Sequence, residues 1–250
     1  MIAGKVVRAA LTACAASAVT LAQLNLPEKS FWDARSVVLY LSVTVLAITV
    51  VHDATIAVTH ALQANQIKSY GGNLNAAFAA TVTSVVTEFG TPWDEIAVTF
   101  YRSKLFGRWR KLIRVGGVRA GARPINLNPY IRTRTGIVGH TFTEQAIIAA
   151  EWKDFVESAV SQGKSAWEQR RPQDRYGLSW GELMRAERPD GIVAQPIFNE
   201  RGRPVGCASI TGPLKLVDMN SPQMGQILND LATAMYLIGP TPRGWWSFHG

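Results

Sequence analysis

The chain has 250 residues, with 26 Lys and Arg against 18 Asp and Glu, and a formal net charge of +8. That length holds one sizeable core and a smaller unit, and excludes two full domains. The two cysteines, Cys14 and Cys207, lie far apart in apolar settings, which excludes a disulfide framework and a cysteine-based metal site and fits a reducing compartment.

Residues 9–27 form a run of 19 without a charged side chain, and residues 36–52 form another of 17. Each approaches the roughly 20 residues a helix needs to cross a bilayer core. The first is alanine-rich and interrupted by Thr12, Ser17, Thr20, Gln23 and Asn25; the second, SVVLYLSVTVLAITVV, is the more apolar. Between them a polar connector carries Phe31 and Trp32, side chains that favour the membrane–water boundary. The expectation is a membrane-anchoring helical hairpin that, with a juxtamembrane helix over 54–66, occupies residues 1–66. A signal peptide led by Lys5 and Arg8 is the competing reading of the first run, although no small-residue cleavage site follows. A hairpin that starts inside, or a cleaved signal followed by one span, places everything after His52 on the cytoplasmic side.

The next elements are shorter. Ser69-Tyr70-Gly71-Gly72 offers turn chemistry and marks a predicted boundary. Asn73 is placed to cap a helix over 73–89, with Leu74, Phe78, Val82, Val85, Val86 and Phe89 near one face, and Gly90-Thr91-Pro92 stops it. Residues 95–102 alternate Ile96, Val98 and Phe100 with Ala97, Thr99 and Tyr101, and 109–118 form a second extended run, which predicts an antiparallel hairpin. Residues 137–142 lead through a turn into a helix at Thr143-Glu144-Gln145, and 147–152 read as a strand. A long polar connection with helical pieces fills 153–190. The clearest hairpin follows, GIVAQPIFNERGRPVGCASITGP over 191–213, two apolar runs around a polar turn bearing Gly202 and Pro204. An amphipathic helix over 224–237 precedes a tail, residues 240–250. Its Trp245, Trp246 and Phe248 are costly to leave in water and are expected to dock on the domain, a partner or the membrane boundary.

Three of these features carry a family resemblance: the order of elements, the step Thr135-Gly136-Ile137-Val138-Gly139-His140-Thr141-Phe142 followed by Ala146-Ile147-Ile148, and the late hairpin from Ala194-Gln195-Pro196-Ile197-Phe198 to Pro204-Val205-Gly206-Cys207-Ala208-Ser209-Ile210. Over residues 72–239 the chain resembles a GAF domain. The resemblance implies an α+β fold, an antiparallel PAS-like sheet flanked by helices, used mostly to sense small molecules or to mediate dimers. It implies no enzyme. The Asn-Lys-x-x-x-Phe-x-x-x-Asp-Glu pattern that accompanies cyclic-nucleotide binding in some members is absent, and Cys207 falls in a strand rather than at a chromophore-attachment position.

Ligand-contacting candidates are His140, read first as a polar residue lining a turn and second as a contact for haem or an anion, and the large side chains Phe142, Trp152, Trp167, Tyr176 and Trp180, placed to cover the sheet. Nothing identifies a cofactor. Between residues 102 and 134 there are ten Lys or Arg residues and no acidic one. Within that stretch Arg102, Lys104, Arg108, Arg110, Lys111 and Arg114 form a basic patch suited to anionic lipid headgroups, with Phe106 and Trp109 as residues that insert among them. A solvated basic hairpin is the plain alternative, and tethering to a membrane argues against nucleic acid. The histidines show no metal spacing, and neither a phosphate-cradling loop nor a catalytic triad is legible. The expected function is therefore a membrane-anchored cytoplasmic sensor or regulatory protein, without enzymatic activity. It would bind a small molecule or a protein partner, pair with a second copy, and signal through its membrane-proximal helices. The alternative is a membrane effector whose helices form a pore when the domain is triggered, with Ser17, Thr20, Gln23, Ser42, Thr44 and Thr49 facing a lumen.

Overall fold

A computed structural model describes residues 2–106, 109–119, 121 and 130–246, with side chains described for all of these except 2–5, 106 and 109. By their contacts, Met1–Gln66 and Ile67–Gly250 form two units.

The first unit is helical. Helix α1 (Ile2–Gln23) and the first part of α3 (Ser36–Phe89) are joined through the short α2 (Lys29–Asp33). Arg8 pairs with Asp53 and donates to the Thr49 carbonyl at 3.5 Å, so the charges gather where the two apolar runs end. At the connector, the Trp32 indole donates to the Leu26 carbonyl at 2.9 Å and the Arg35 guanidinium lies 4.0 Å from the centre of the Phe31 ring. Both α1 and α3 are long and apolar enough to cross a membrane. Thr20, Ser42, Thr44 and Thr49 each donate to the carbonyl four residues earlier, so these hydroxyls are satisfied within their own helices and create no demand for a polar lumen.

Helix α3 runs unbroken to Phe89, which corrects the predicted turn at 69–72 and the predicted cap at Asn73. Two glycines in a helix cost about 1 kcal/mol each relative to alanine. Burial offsets that cost: Tyr70 is buried, its ring 4.8 Å from that of Trp245, and the Trp245 side chain lies within 3.5 Å of where a Gly71 side chain would begin.

The second unit is α+β. Six antiparallel strands, β1 (Ala97–Phe106), β2 (Trp109–Arg119), β3 (Tyr130–Arg132), β4 (Ile148–Glu151), β5 (Gly191–Phe198) and β6 (Pro204–Gly212), are ordered β3-β2-β1-β6-β5-β4. Both predicted hairpins are present, and they meet at the centre of the sheet through β1 and β6, where Ala97 pairs with Thr211 and Arg102 with Gly206. The β5–β6 turn closes on Asn199, whose Oδ1 accepts from the Arg201 and Arg203 amides at 3.0 Å, while Gly202 takes φ +66°.

Strand alternation divides the core in two. Val98, Phe100, Val193, Ala208 and Ile210 face the C-terminal half of α3 and α8 (Pro222–Ile238), where Leu74, Phe78, Val85, Leu228 and Leu231 are buried. Tyr101, Leu112, Ala194 and Cys207 face the other way, towards α4 (Gly136–Glu144), α5 (Trp152–Gln169, interrupted at Gly163) and α6 (Trp180–Arg185). A four-residue helix, α7 (Leu216–Met219), leads into α8. The predicted turn over 137–142 is corrected: helix α4 already begins at Gly136, because Ile137, Val138, Thr141 and Phe142 fall on one helical face and bury together. The register of β1 against β2 shifts at Phe100/Tyr101, leaving Val115 as a bulge, and its carbonyl accepts the Trp245 indole N–H at 3.1 Å. Of the three places the aromatic tail was expected to dock, Trp245 thus takes the domain; Phe248 lies outside the described residues.

Candidate functional site

The second core is built of rings. Helix α5 places Trp152 and Phe155 one turn apart, stacked at 5.2 Å and 22°. Tyr176 meets Phe155 edge-on at 5.2 Å and Trp152 at 5.9 Å, and Phe155 meets Trp167 at 5.8 Å. Both indoles are tied to backbone: Trp152 donates to the Glu187 carbonyl at 2.9 Å and Trp167 to that of Leu178 at 3.3 Å. These bonds hold the segment between α5 and β5 onto the cluster. Tyr176 takes φ +48° and Gly177 +62°, and the Tyr176 carbonyl accepts the Gly136 amide at 2.7 Å at the start of α4.

His140, on α4, closes the cluster with its ring perpendicular to that of Tyr176 at 5.5 Å. Its Nε2 is buried and has no hydrogen-bond partner among the described residues, and the same holds for Thr141 Oγ1. Burial lowers the His140 pKa, an effect partly offset by the Glu144 charge and a hydrogen bond to the Arg134 backbone. The ring is therefore neutral at pH 7 and presents a bare lone pair beside aromatic faces, able to accept a hydrogen bond from a bound molecule. A depressed folded pKa means that the unfolded chain binds more protons, so stability falls as pH drops below about 6.5 towards the folded value. His140→Gln is expected to flatten that limb of the curve, read as urea midpoints measured across it.

Of the six residues predicted to contact a ligand, the structure joins His140, Trp152, Trp167 and Tyr176 through Phe155. Phe142 is buried in the same core and Trp180 packs against it half-buried. Phe155 went unrecognised, because 153–190 read as a polar connection; the signal was its i,i+3 spacing from Trp152 on an amphipathic helix. Two clefts lie elsewhere and are lined by none of the six. One, of about 590 Å³, lies among Asp94, Glu95, Arg119, Glu187 and Asp190; the other, of about 470 Å³, lies among Phe198, Glu200, Tyr236 and Leu237. Cys207 is fully buried and burial pushes its thiol pKa up, which disfavours the nucleophilic thiolate.

The predicted basic patch divides. Arg102 donates to the Gly239 carbonyl at 2.7 Å and Arg114 is half-buried, whereas Lys104 and Arg110 are exposed near the β1–β2 tip with the half-buried Lys111. Arg108 lies outside the described residues, and so do the side chains of Phe106 and Trp109.

No protein-family model matches this chain, and no curated protein matches it. Solved structures do. The chain is similar to the GAF domain region of a protein from Geobacter sulfurreducens PCA, at 15% identity and TM-score 0.44 over 68% of this chain and 98% of that one. It is similar to the GAF domain of a two-component sensor histidine kinase from Bacillus halodurans, at 13% and 0.38 over 66% and 94%. It is also similar to the free methionine-R-sulfoxide reductase of Neisseria meningitidis, at 14% and 0.41 over 71% and 88%. The reductase corrects one expectation: the structures that resemble this chain include enzymes, so the fold is no ground for denying it an activity.

Proposed function

We propose that this protein is a membrane-attached regulatory protein whose α+β domain binds a small molecule at the aromatic core around His140. The observation that carries the reading is the buried, unpartnered Nε2 against the Tyr176 ring. Leaving a buried acceptor unpaired costs about 1–3 kcal/mol, and a cost of that kind is characteristic of a site that is completed by something else. The ligand class that suits it offers a hydrogen-bond donor on a flat or cationic body, for the imidazole and the rings respectively. Tyr176, held at a positive φ by its neighbours, forms the aromatic wall of the site against His140.

Attachment rests on the first unit. Val37, Tyr40, Ile48, Val50 and Val51 are all exposed, an apolar surface that water does not favour and acyl chains do. The 17 uncharged residues of α3 measure about 26 Å as a helix, close to the bilayer core. In this reading the domain lies on the cytoplasmic side, pairs with a second copy, and is coupled to the membrane hairpin through α3, the helix both units share.

Native mass spectrometry of the detergent-purified full chain tests the ligand. A small-molecule adduct is expected on the wild type and lost in His140→Phe; an adduct that survives the substitution places the ligand elsewhere. Attachment is tested separately, since release of the intact chain by alkaline carbonate overturns a spanning hairpin.

A further inference from the structure

The β1–β2 hairpin outruns the sheet. Pairing of β1 with β6 ends at Arg102, and pairing of β2 with β3 begins at Lys111. Ser103–Phe106 therefore have only β2 as a neighbour, and Trp109 and Arg110 only β1, among the described strands. A two-stranded ribbon is at best marginally stable in water. In this one Lys104 stands directly opposite Lys111, a like-charge cross-strand pair. The next pair is Leu105 with Arg110, and Leu105 is 69% exposed. The stretch from 102 to 134 holds ten Lys or Arg residues and no acidic one.

Aromatic rings position the lysines without cancelling their charge. The Lys104 ammonium lies 5.6 Å from the Trp246 ring centre, and that of Lys111 4.6 Å from Tyr130. Basic side chains on both faces of the ribbon, Lys104 with Lys111 on one and Arg110 beside the exposed Leu105 on the other, fit a surface that offers both anions and hydrocarbon. We infer that the β1–β2 tip docks on the anionic headgroups of a bilayer, with Leu105 entering among the acyl-chain ends. The inference rests on the membrane attachment proposed above, which keeps such a surface always at hand. Each basic residue close to an anionic surface strengthens docking about fivefold, so Lys104, Arg110 and Lys111 together contribute about a hundredfold.

The test uses the full chain reconstituted in vesicles of phosphatidylcholine with or without phosphatidylserine. Leu105→Cys, on a Cys14→Ala background, carries an environment-sensitive fluorophore; Cys207 is buried and stays unlabelled. A blue shift is expected only with phosphatidylserine, weakening as salt screens the charges. Lys104→Gln, Arg110→Gln and Lys111→Gln combined should lower the docked-to-free ratio about a hundredfold. Lys111→Glu is the sharper variant, because it creates a favourable pair with Lys104 that steadies the ribbon while weakening lipid attraction. If the lipid response survives Lys111→Glu, it reports ribbon folding and the inference fails. A shift produced by an added oligonucleotide but not by phosphatidylserine overturns it in favour of nucleic acid, and no shift with either overturns it outright. Carbonate extraction of the same samples distinguishes failure of the docking from failure of the membrane attachment itself.

Discussion

Replacing Trp245 with alanine is expected to lower the stability of the α+β unit by about 3–5 kcal/mol, the range for removing a large aromatic from a core. The residue is 2% exposed although it lies in a segment that reads as a tail. Its ring closes edge-on over Tyr70 of α3, and its N–H reaches the carbonyl of Val115, the residue the bulge leaves out of the β1–β2 ladder. One side chain therefore fastens α3 to a weak point in the sheet. Trp245→Phe keeps most of the ring contact but leaves the bulge carbonyl without this donor, for a smaller loss of about 1–2 kcal/mol. Deleting residues 240–250 should match the alanine variant. Urea denaturation in detergent, followed by far-UV circular dichroism, checks all three; an alanine variant within 1 kcal/mol of wild type would show that the tail is not part of the fold.

Gly177→Ala is expected to cost about 3 kcal/mol or more and to abolish ligand binding along with it. At φ +62° a side chain is already disfavoured, and here it would begin 2.1 Å from the Arg134 carbonyl oxygen. Neither backbone has room to give: the Gly177 amide donates to the Pro172 carbonyl at 2.8 Å, and the neighbouring Tyr176 carbonyl accepts the Gly136 amide. Relief of the clash moves Tyr176 off His140, which couples this position to the proposed site. Gly202→Ala is the control, since its φ is +66° but nothing lies within 4 Å of the added carbon. That change should cost only about 1 kcal/mol, the conformational penalty alone. Equal losses at the two positions would mean that the close approach at Arg134 contributes nothing.

The late hairpin was legible residue by residue because its determinants are local: two apolar runs rich in β-branched residues and an Asn-to-Gly turn that closes on itself. The β1–β2 pair and α8 were legible for the same reason. The turn expected over 137–142 is the first part of α4, because the packing that buries Ile137, Val138, Thr141 and Phe142 together does not show in local sequence, and the charges on the outer face of α5 dilute its pattern. At the site, the large rings singled out in the sequence include Trp152, Trp167 and Tyr176, which pack together in the second core; ligand contact there is the proposal above. Their mutual contacts and the bare His140 nitrogen were not legible, since neither follows from spacing.

By itself the sequence determined the elements whose signals lie within a few turns or one hairpin: two apolar runs, two antiparallel pairs, a closing amphipathic helix and a basic stretch without acidic residues. The tertiary structure decided what depends on partners far along the chain. Helix α3 continues through Gly71 and Gly72 while Tyr70 and Gly71 pack against Trp245; the two hairpins join where Ala97 meets Thr211; and the aromatic core forms because the segment before β5 folds back over α4 and α5. Local propensity biases each segment by about 1 kcal/mol per residue or less, whereas burying a single large side chain outweighs it, so the long-range contacts had the final say.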